Sequence, residues 1–300
     1  MKAAAIDLGS NTFHLLIVEG EKGSIQKELF RQRIFVGLGD GGIEWLSEEA
    51  IERGLEACLA FRKMMNASGV DRLKVTGTAA LRTAANAREF TARAEAILGI
   101  KIDVIDGNEE ARYIFEGVRQ LSALVAPTII VDIGGGSTEI ILAKNGKMVW
   151  AQSYVLGVGV MHAAFHHLEP IGTEAEQALR AHIRMTLGPL QEYLLSFPVE
   201  VFIGASGSFE VMESMTGKPT YKNMLNAVEI RDAYKISRLI ISKSREERMQ
   251  LPGMPLERVK LIVVAMILID EILKLTGDVK LMVTPYALKE GLLAELLGRS

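Results

Sequence analysis

The sequence predicts an α/β protein built from two β-β-β-α-β-α units with a ligand cleft between them. Three observations carry that expectation. Two acidic, glycine-rich turns, Asp7-Leu8-Gly9-Ser10-Asn11-Thr12 and Asp132-Ile133-Gly134-Gly135-Gly136-Ser137-Thr138, each follow an apolar strand-like run and precede another. The order of elements after the first turn recurs after the second, as a duplication would leave it. A chain of 300 residues with 49% hydrophobic content can also bury two cores.

Runs at 2–8, 12–19 and 24–33 are separated by short polar or glycine turns, the pattern of an antiparallel meander. From about Ser47 the apolar period becomes helical, with Glu48 and Glu49 in the first turn, where the helix dipole favours negative charge. A strand at 72–76 follows, then a helix starting near Asn86 with Glu89 three residues on, the spacing of a capping box. A strand at 101–105 and a helix from Asn108, capped by that residue, complete the first unit. The second unit has strands at 128–131, 138–143 and 148–154, then helices at 158–166 and 173–195. A strand at 199–203, further helix, a strand at 280–283 and a helix at about 286–297 finish the chain. The boundary is expected near 121–127 with the last helix returning to the first domain. That gives one domain of 1–122 plus 286–300 and a second of 123–285.

Composition narrows the function classes. The net charge of −3 lacks the basic excess of a general nucleic-acid binder, so an anionic ligand would be met by a localised site. Cys58, the only cysteine, lies in the helical pattern 47–68 and reads as a buried small hydrophobe. Asp7 and Gly9 interrupt the first apolar run at once, unlike a secretory leader. The longest apolar run, 261–269, is far shorter than the roughly 20 residues a bilayer requires, so it reads as a buried helix. A cytoplasmic protein is expected.

The turns suggest the chemistry. Glycine lets backbone N–H groups approach an anion, hydroxyls add donors, and a leading aspartate can hold a divalent cation. A structural turn needs glycine, but it does not need the aspartate and the hydroxyl in both copies. In Asp106-Gly107-Asn108-Glu109-Glu110-Ala111-Arg112 a strand passes into a helix, and one of the glutamates could activate a water for attack on phosphorus. Arg82, among small residues at 76–83, offers a planar fork for phosphate oxygens. Ile203-Gly204-Ala205-Ser206-Gly207-Ser208 is a third, weaker glycine-hydroxyl turn. His162 and His166 have the spacing of two metal ligands on a helix, but without further ligands they read as ordinary helix histidines. No Walker-type phosphate loop occurs.

Most of the chain resembles the exopolyphosphatase/guanosine pentaphosphate phosphohydrolase (Ppx/GppA) family of the actin-like, ribonuclease-H-like ATPase superfamily. The resemblance runs through Ile6-Asp7-Leu8-Gly9-Ser10-Asn11-Thr12-Phe13-His14, Leu46-Ser47-Glu48-Glu49-Ala50-Ile51, Ala80-Leu81-Arg82 and Gly107-Asn108-Glu109-Glu110-Ala111-Arg112. It continues in Val131-Asp132-Ile133-Gly134-Gly135-Gly136-Ser137-Thr138-Glu139, Gly204-Ala205-Ser206-Gly207 and Leu288-Lys289-Glu290-Gly291-Leu292-Leu293.

The resemblance implies two actin-like domains and hydrolytic removal of the terminal phosphate of inorganic polyphosphate, or of the 5′ γ-phosphate of pppGpp. The implied cofactor is Mg²⁺, with Mn²⁺ as the substitute. Glu110 then corresponds to the catalytic base and Glu109 is the second choice. Asp7 and Asp132 correspond to metal-associated carboxylates, and Arg82 to a phosphate contact. Gly9, Ser10, Asn11, Thr12, Gly134, Gly135, Gly136, Ser137 and Thr138, with Gly204, Ser206 and Gly207, correspond to phosphate loops. The expected partners are polyphosphate or guanosine penta/tetraphosphate, with neither nucleic acid nor membrane, and a homodimer is allowed.

The chain departs from the family at Gly37-Leu38-Gly39-Asp40-Gly41, where members often have Arg-Leu-Gly-Glu-Gly, and at Lys289, where arginine is usual. Fewer basic groups, and an end at Ser300 without the extra helical domains of longer members, point to short polyphosphate. An actin-superfamily kinase or ATPase, and a non-catalytic (p)ppGpp sensor, remain the alternatives.

Overall fold

The computed structural model describes residues 1–205, 207–217 and 224–298. Two compact units emerge: Met1–Gln120 with Gly134–Ser137 and Tyr286–Ser300, and Leu121–Ile133 with Thr138–Pro285. Each has its own hydrophobic core.

In the first unit β1 (Lys2–Leu8), β2 (Thr12–Glu21) and β3 (Ser24–Phe35) form the expected meander. α1 (Glu48–Ser68) starts where Ser47 Oγ accepts from Ala50 N at 3.2 Å, and ends at Gly69 in the left-handed region with φ 64°. β4 (Arg72–Gly77) adds parallel to β1, and β5 (Asp103–Val104) parallel to β4, giving the order β3-β2-β1-β4-β5. Between β4 and β5 lie α2 (Ala79–Thr83) and α3 (Ala87–Leu98), and α4 (Gly107–Arg119) follows.

The second unit repeats the plan. β6 (Thr128–Ile133), β7 (Thr138–Lys144) and β8 (Lys147–Tyr154) form the meander, and α5 (Val158–Phe165), α6 (Thr173–Thr186) and α7 (Gly188–Ser196) follow it. β9 (Val201–Ala205) and α8 (Gly207–Ser214) precede β10 (Asn226–Ala227), α9 (Ile230–Ile241) and α10 (Arg245–Met249). α11 (Ile262–Thr276), β11 (Lys280–Thr284) and α12 (Leu288–Leu296) end the chain, and α12 belongs to the first unit. The sheet order β10-β11-β9-β6-β7-β8 mirrors the first sheet, with β10 as an added edge strand.

Several local expectations need correction. The helix after Asn86 has no capping box: the Asn86 amide instead brackets Leu46, accepting from its N–H and donating to its carbonyl, both at 2.9 Å. Asp106, not Asn108, caps α4, its carboxylate accepting from Glu109 N at 2.8 Å. The expected helix 173–195 divides into α6 and α7 because Pro189 has no N–H and its ring would collide with the carbonyl four residues earlier. α2, for which the sequence offered only small residues around Arg82, is a short helix.

All of the apolar run 261–269 but Leu261, the N-cap, lies in α11, which is buried almost throughout. Its inward Asp270 and Glu271 are met by Arg180, at 3.3 and 2.8 Å. Among the described residues no helix is long and apolar enough to cross a membrane. Cys58 is buried, and burial pushes its thiol up to about 12, which leaves it protonated and unreactive.

Candidate active site

Strand β1 delivers Asp7 to the first turn, opposite His14 on β2 and beside Thr76 on β4. Gly9 is required by close approach: a Cβ there would sit 2.8 Å from Thr12 O and 3.8 Å from Asp7 Oδ1. The turn is held from behind. Val36 N and Gly37 N donate to Asn11 O at 3.0 and 2.8 Å, and Gly39 N donates to Ser10 O at 2.7 Å. Arg53 in turn fixes that loop through Val36 O at 2.7 Å and Gly37 O at 3.3 Å. The stretch 37–41 that departs from the family pattern is therefore the support of the first turn. Ser10 is buried, and its hydroxyl accepts from Ala80 N at 3.0 Å, tying the turn to the helix that carries Arg82.

The second turn closes on itself through Gly134 N to Ser137 O at 2.9 Å. Residues Gly134–Ser137 group with the first unit. A Cβ on Gly135 would lie 2.8 Å from Asn11 Cβ, and one on Gly136 would lie 2.7 Å from both Ser10 Oγ and Ala79 Cβ. Ser10 and Asn11 are thus brought against Gly135 and Gly136, with no space for a methyl group where they meet. Thr138 behaves differently. It is fully buried and its hydroxyl donates to Leu156 O at 2.8 Å, so it holds the hairpin together instead of facing a ligand.

Asp132, half-buried, pairs across the hairpin with Glu139. Glu139 is 1% exposed, and its Oε1 accepts from Ser153 Oγ at 2.7 Å. The sequence reading did not single out Glu139. The available signal was a carboxylate within an otherwise largely apolar strand that is buried on both faces.

Arg82 and Glu110 form the clearest constellation. Arg82 Nη1 donates to Ile105 O at 2.7 Å and to Glu110 Oε2 at 3.2 Å. Both bonds use one nitrogen of a group with five N–H donors. Glu110 is 7% exposed. Glu109, one residue earlier, is exposed and lies 3.8 Å from Arg112. The two adjacent glutamates thus occupy opposite environments, Glu110 buried and Glu109 exposed.

The third turn gives less. Ser206 lies outside the described residues. At Gly204 a side chain would run into the Phe209 ring, and at Gly207 into the Arg258 guanidinium, so packing accounts for both glycines. Lys289 is buried, with its ammonium 3.9 Å from Glu290 Oε2. Among the described residues no group of three or more His, Cys, Asp or Glu side chains is arranged to hold a metal ion.

The Ppx/GppA phosphatase family model matches residues 16–300. The chain is 29% identical over 297 residues to a guanosine-5′-triphosphate,3′-diphosphate pyrophosphatase of Photobacterium profundum, covering 99% of this chain and 59% of that protein. It therefore spans a little over half the length of the curated relative it matches. An exopolyphosphatase from Cytophaga hutchinsonii ATCC 33406 superposes with a TM-score of 0.93 at 30% identity, over 99% of this chain and 98% of that one. The Aquifex aeolicus PPX-GPPA enzyme shares the fold, with a TM-score of 0.81 at 24% identity over 98% and 99% of the two chains. The fold, α/β with two mixed sheets, is the one shared with these solved structures. The chain belongs to the Ppx/GppA phosphatase family.

Proposed function

We propose that this protein is a Mg²⁺-dependent phosphoanhydride hydrolase. It removes the terminal phosphate of inorganic polyphosphate, in short chains, or the 5′ γ-phosphate of pppGpp. The observation that carries the reading is the buried Glu110 carboxylate held 3.2 Å from Arg82, in the unit that also holds Gly9–Thr12 and Gly134–Ser137.

Glu110 takes a proton from water, the water oxygen attacks the terminal phosphorus, and the bridging P–O bond breaks toward the shortened chain. Arg82 pairs the phosphoryl oxygens as charge builds on them, and the glycine turns present backbone N–H groups to the same oxygens. Asp7 and Asp132 each offer hard carboxylate oxygens, which suit Mg²⁺. That ion is commonly held by one or two carboxylates, its own waters and substrate phosphates, so a cage of three protein ligands is not required. When bound, the ion would neutralise phosphate charge. Mn²⁺ fits the same donors. The proposed setting is the cytoplasm.

The test is phosphate release from short polyphosphate, long polyphosphate, pppGpp and ATP, each with and without Mg²⁺. Metal-dependent release from short polyphosphate or pppGpp is expected. Transfer from ATP to an organic acceptor would replace the reading with a kinase, and tight nucleotide binding without release under any metal would replace it with a sensor.

A further inference from the structure

Arg82 and Glu110 come from different elements, so their spacing must be held by something else. Arg82 sits on α2, directly after β4, and Glu110 in the first turn of α4. Resting on the hydrolytic reading above, we infer that Glu295, in the last turn of α12, is a positioning residue that ties β4 to α4 and so fixes the Arg82–Glu110 geometry.

Both Glu295 oxygens are engaged, by donors from both elements. Oε1 accepts from Lys74 Nζ on β4 and from the Tyr113 hydroxyl on α4 at 2.9 Å. Oε2 accepts from Arg112 Nη2 on α4 at 3.1 Å. Lys74 also donates to the Tyr113 hydroxyl at 2.6 Å, closing the triangle. Arg112 stacks 4.1 Å from the Tyr113 ring centroid, which fixes the orientation of its fork. Against the desolvation of partial burial, Lys74, Tyr113 and Arg112 hold the Glu295 carboxyl below its ordinary range, so it remains charged at neutral pH.

The helices can meet this closely because two glycines face backbone. A methyl group on Gly117 of α4 would overlap Ala287 O, and one on Gly291 of α12 would overlap Tyr113 O. Backbone contact fixes the separation of α4 and α12 but leaves them able to slide. A carboxylate bound at once to a strand and to the neighbouring helix removes that freedom. Arg72, also on β4, adds a bond to Leu296 O at 3.1 Å beside the latch. An ordinary surface ion pair would join α12 to one element only; this one joins it to both elements that lead to the reacting pair.

The experiment compares three variants of the full chain by kcat, KM and Tm in the phosphate-release assay. E295Q keeps size but removes the charge, and Y113F removes one hydroxyl. L292A cuts the core contact of Leu292, fully buried on the same helix, without touching the latch. Misplacement of catalytic groups by about 1 Å costs up to ~10²-fold, so E295Q is expected to lower kcat ~10- to 100-fold with KM within about twofold. Y113F should show the same split at about threefold, and decides the matter should E295Q fail to fold. L292A is expected to lower Tm while keeping kcat. Wild-type kcat in both E295Q and Y113F overturns the inference, as does a fall in kcat that follows Tm across all three variants. Absence of release from the unaltered protein overturns the hydrolytic reading itself, which is a separate result.

Discussion

The two acidic glycine turns share a backbone plan but not a neighbourhood. The first faces His14 across its hairpin and Thr76 on the parallel strand, and it is supported from behind by 36–39 and Ala80. The second faces Glu139 and Ala205, closes on itself, and spends its last hydroxyl on Leu156 O. A duplicated device has therefore been divided. In the proposed hydrolysis Arg82 and Glu110 of the first unit serve the reaction, while the strands of the second turn add the Glu139 carboxylate beside Asp132.

The largest effect should come from the reacting side. E110Q is expected to lower phosphate release by about 10²–10⁴-fold, the usual contribution of a general base, with ligand affinity retained. E109Q should stay within about threefold, since that carboxylate is exposed and its interaction with Arg112 is weak. Equal losses from the two variants would remove the distinction on which the assignment stands.

Next comes the meeting of the turns. G136A places a methyl 2.7 Å from Ser10 Oγ and Ala79 Cβ, and overpacking of this kind costs about 1–3 kcal/mol. Turnover should fall at least ~10-fold through the displaced first turn, whereas G146A, in the β7–β8 turn, should cost stability alone. Steady-state kinetics and thermal melts on both variants separate the two outcomes. The division of charge is probed by E139Q against H14Q. A carboxylate one cross-strand step from Asp132 strengthens the local negative potential, so E139Q should raise the half-saturating Mg²⁺ concentration about 3- to 10-fold, with H14Q unchanged. Identical Mg²⁺ titrations would mean that the two turns do not differ in this way.

The repeat, the meander in each unit and the β-β-β-α-β-α succession were legible because period-two apolar runs and short glycine turns are local signals. The acidic turns were legible for the same reason. What escaped depended on partners distant in sequence. Asn86 has the spacing of a cap, but its amide is claimed by Leu46, forty residues earlier. Thr138 matches a phosphate-loop hydroxyl until the carbonyl of Leu156 is seen beneath it. The family resemblance ranked Glu110 over Glu109, but the residues alone did not, and the contact of Glu110 with Arg82 depends on a helix that was not anticipated. Thr138 can be tested directly: T138V should leave kcat within about twofold but cost ~1–3 kcal/mol, because a buried carbonyl loses its donor. Activity loss beyond the fraction unfolded would return Thr138 to the ligand-binding set.

The smallest effect concerns protons, and it again separates the units. His14 is in the first unit, while His162, His166, His167 and His182 are all in the second. Burial first, then the neighbouring His166 and Lys260, pulls His162 down from its ordinary 6.5 to about 4. His166 is lowered too, by burial and by Arg248, against the opposing pull of Glu169 Oε1 at 3.6 Å. Since the folded rings bind protons less well than the unfolded ones, the stability they contribute is complete above pH 6.5 and is lost as pH falls toward 4. For half-buried His162, solvent screening limits the effect to the order of 1 kcal/mol, or about 2–4 °C in Tm. Asp270 and Glu213, both pushed up by burial, gain from protonation and act in the opposite direction at the acid end. Hydrogen exchange at pH 5 should therefore accelerate first in α5 and its neighbours, with H162Q flattening the dependence. Equal acceleration in α1, or an unchanged pH dependence in H162Q, would show that proton sensitivity is not confined to the second unit.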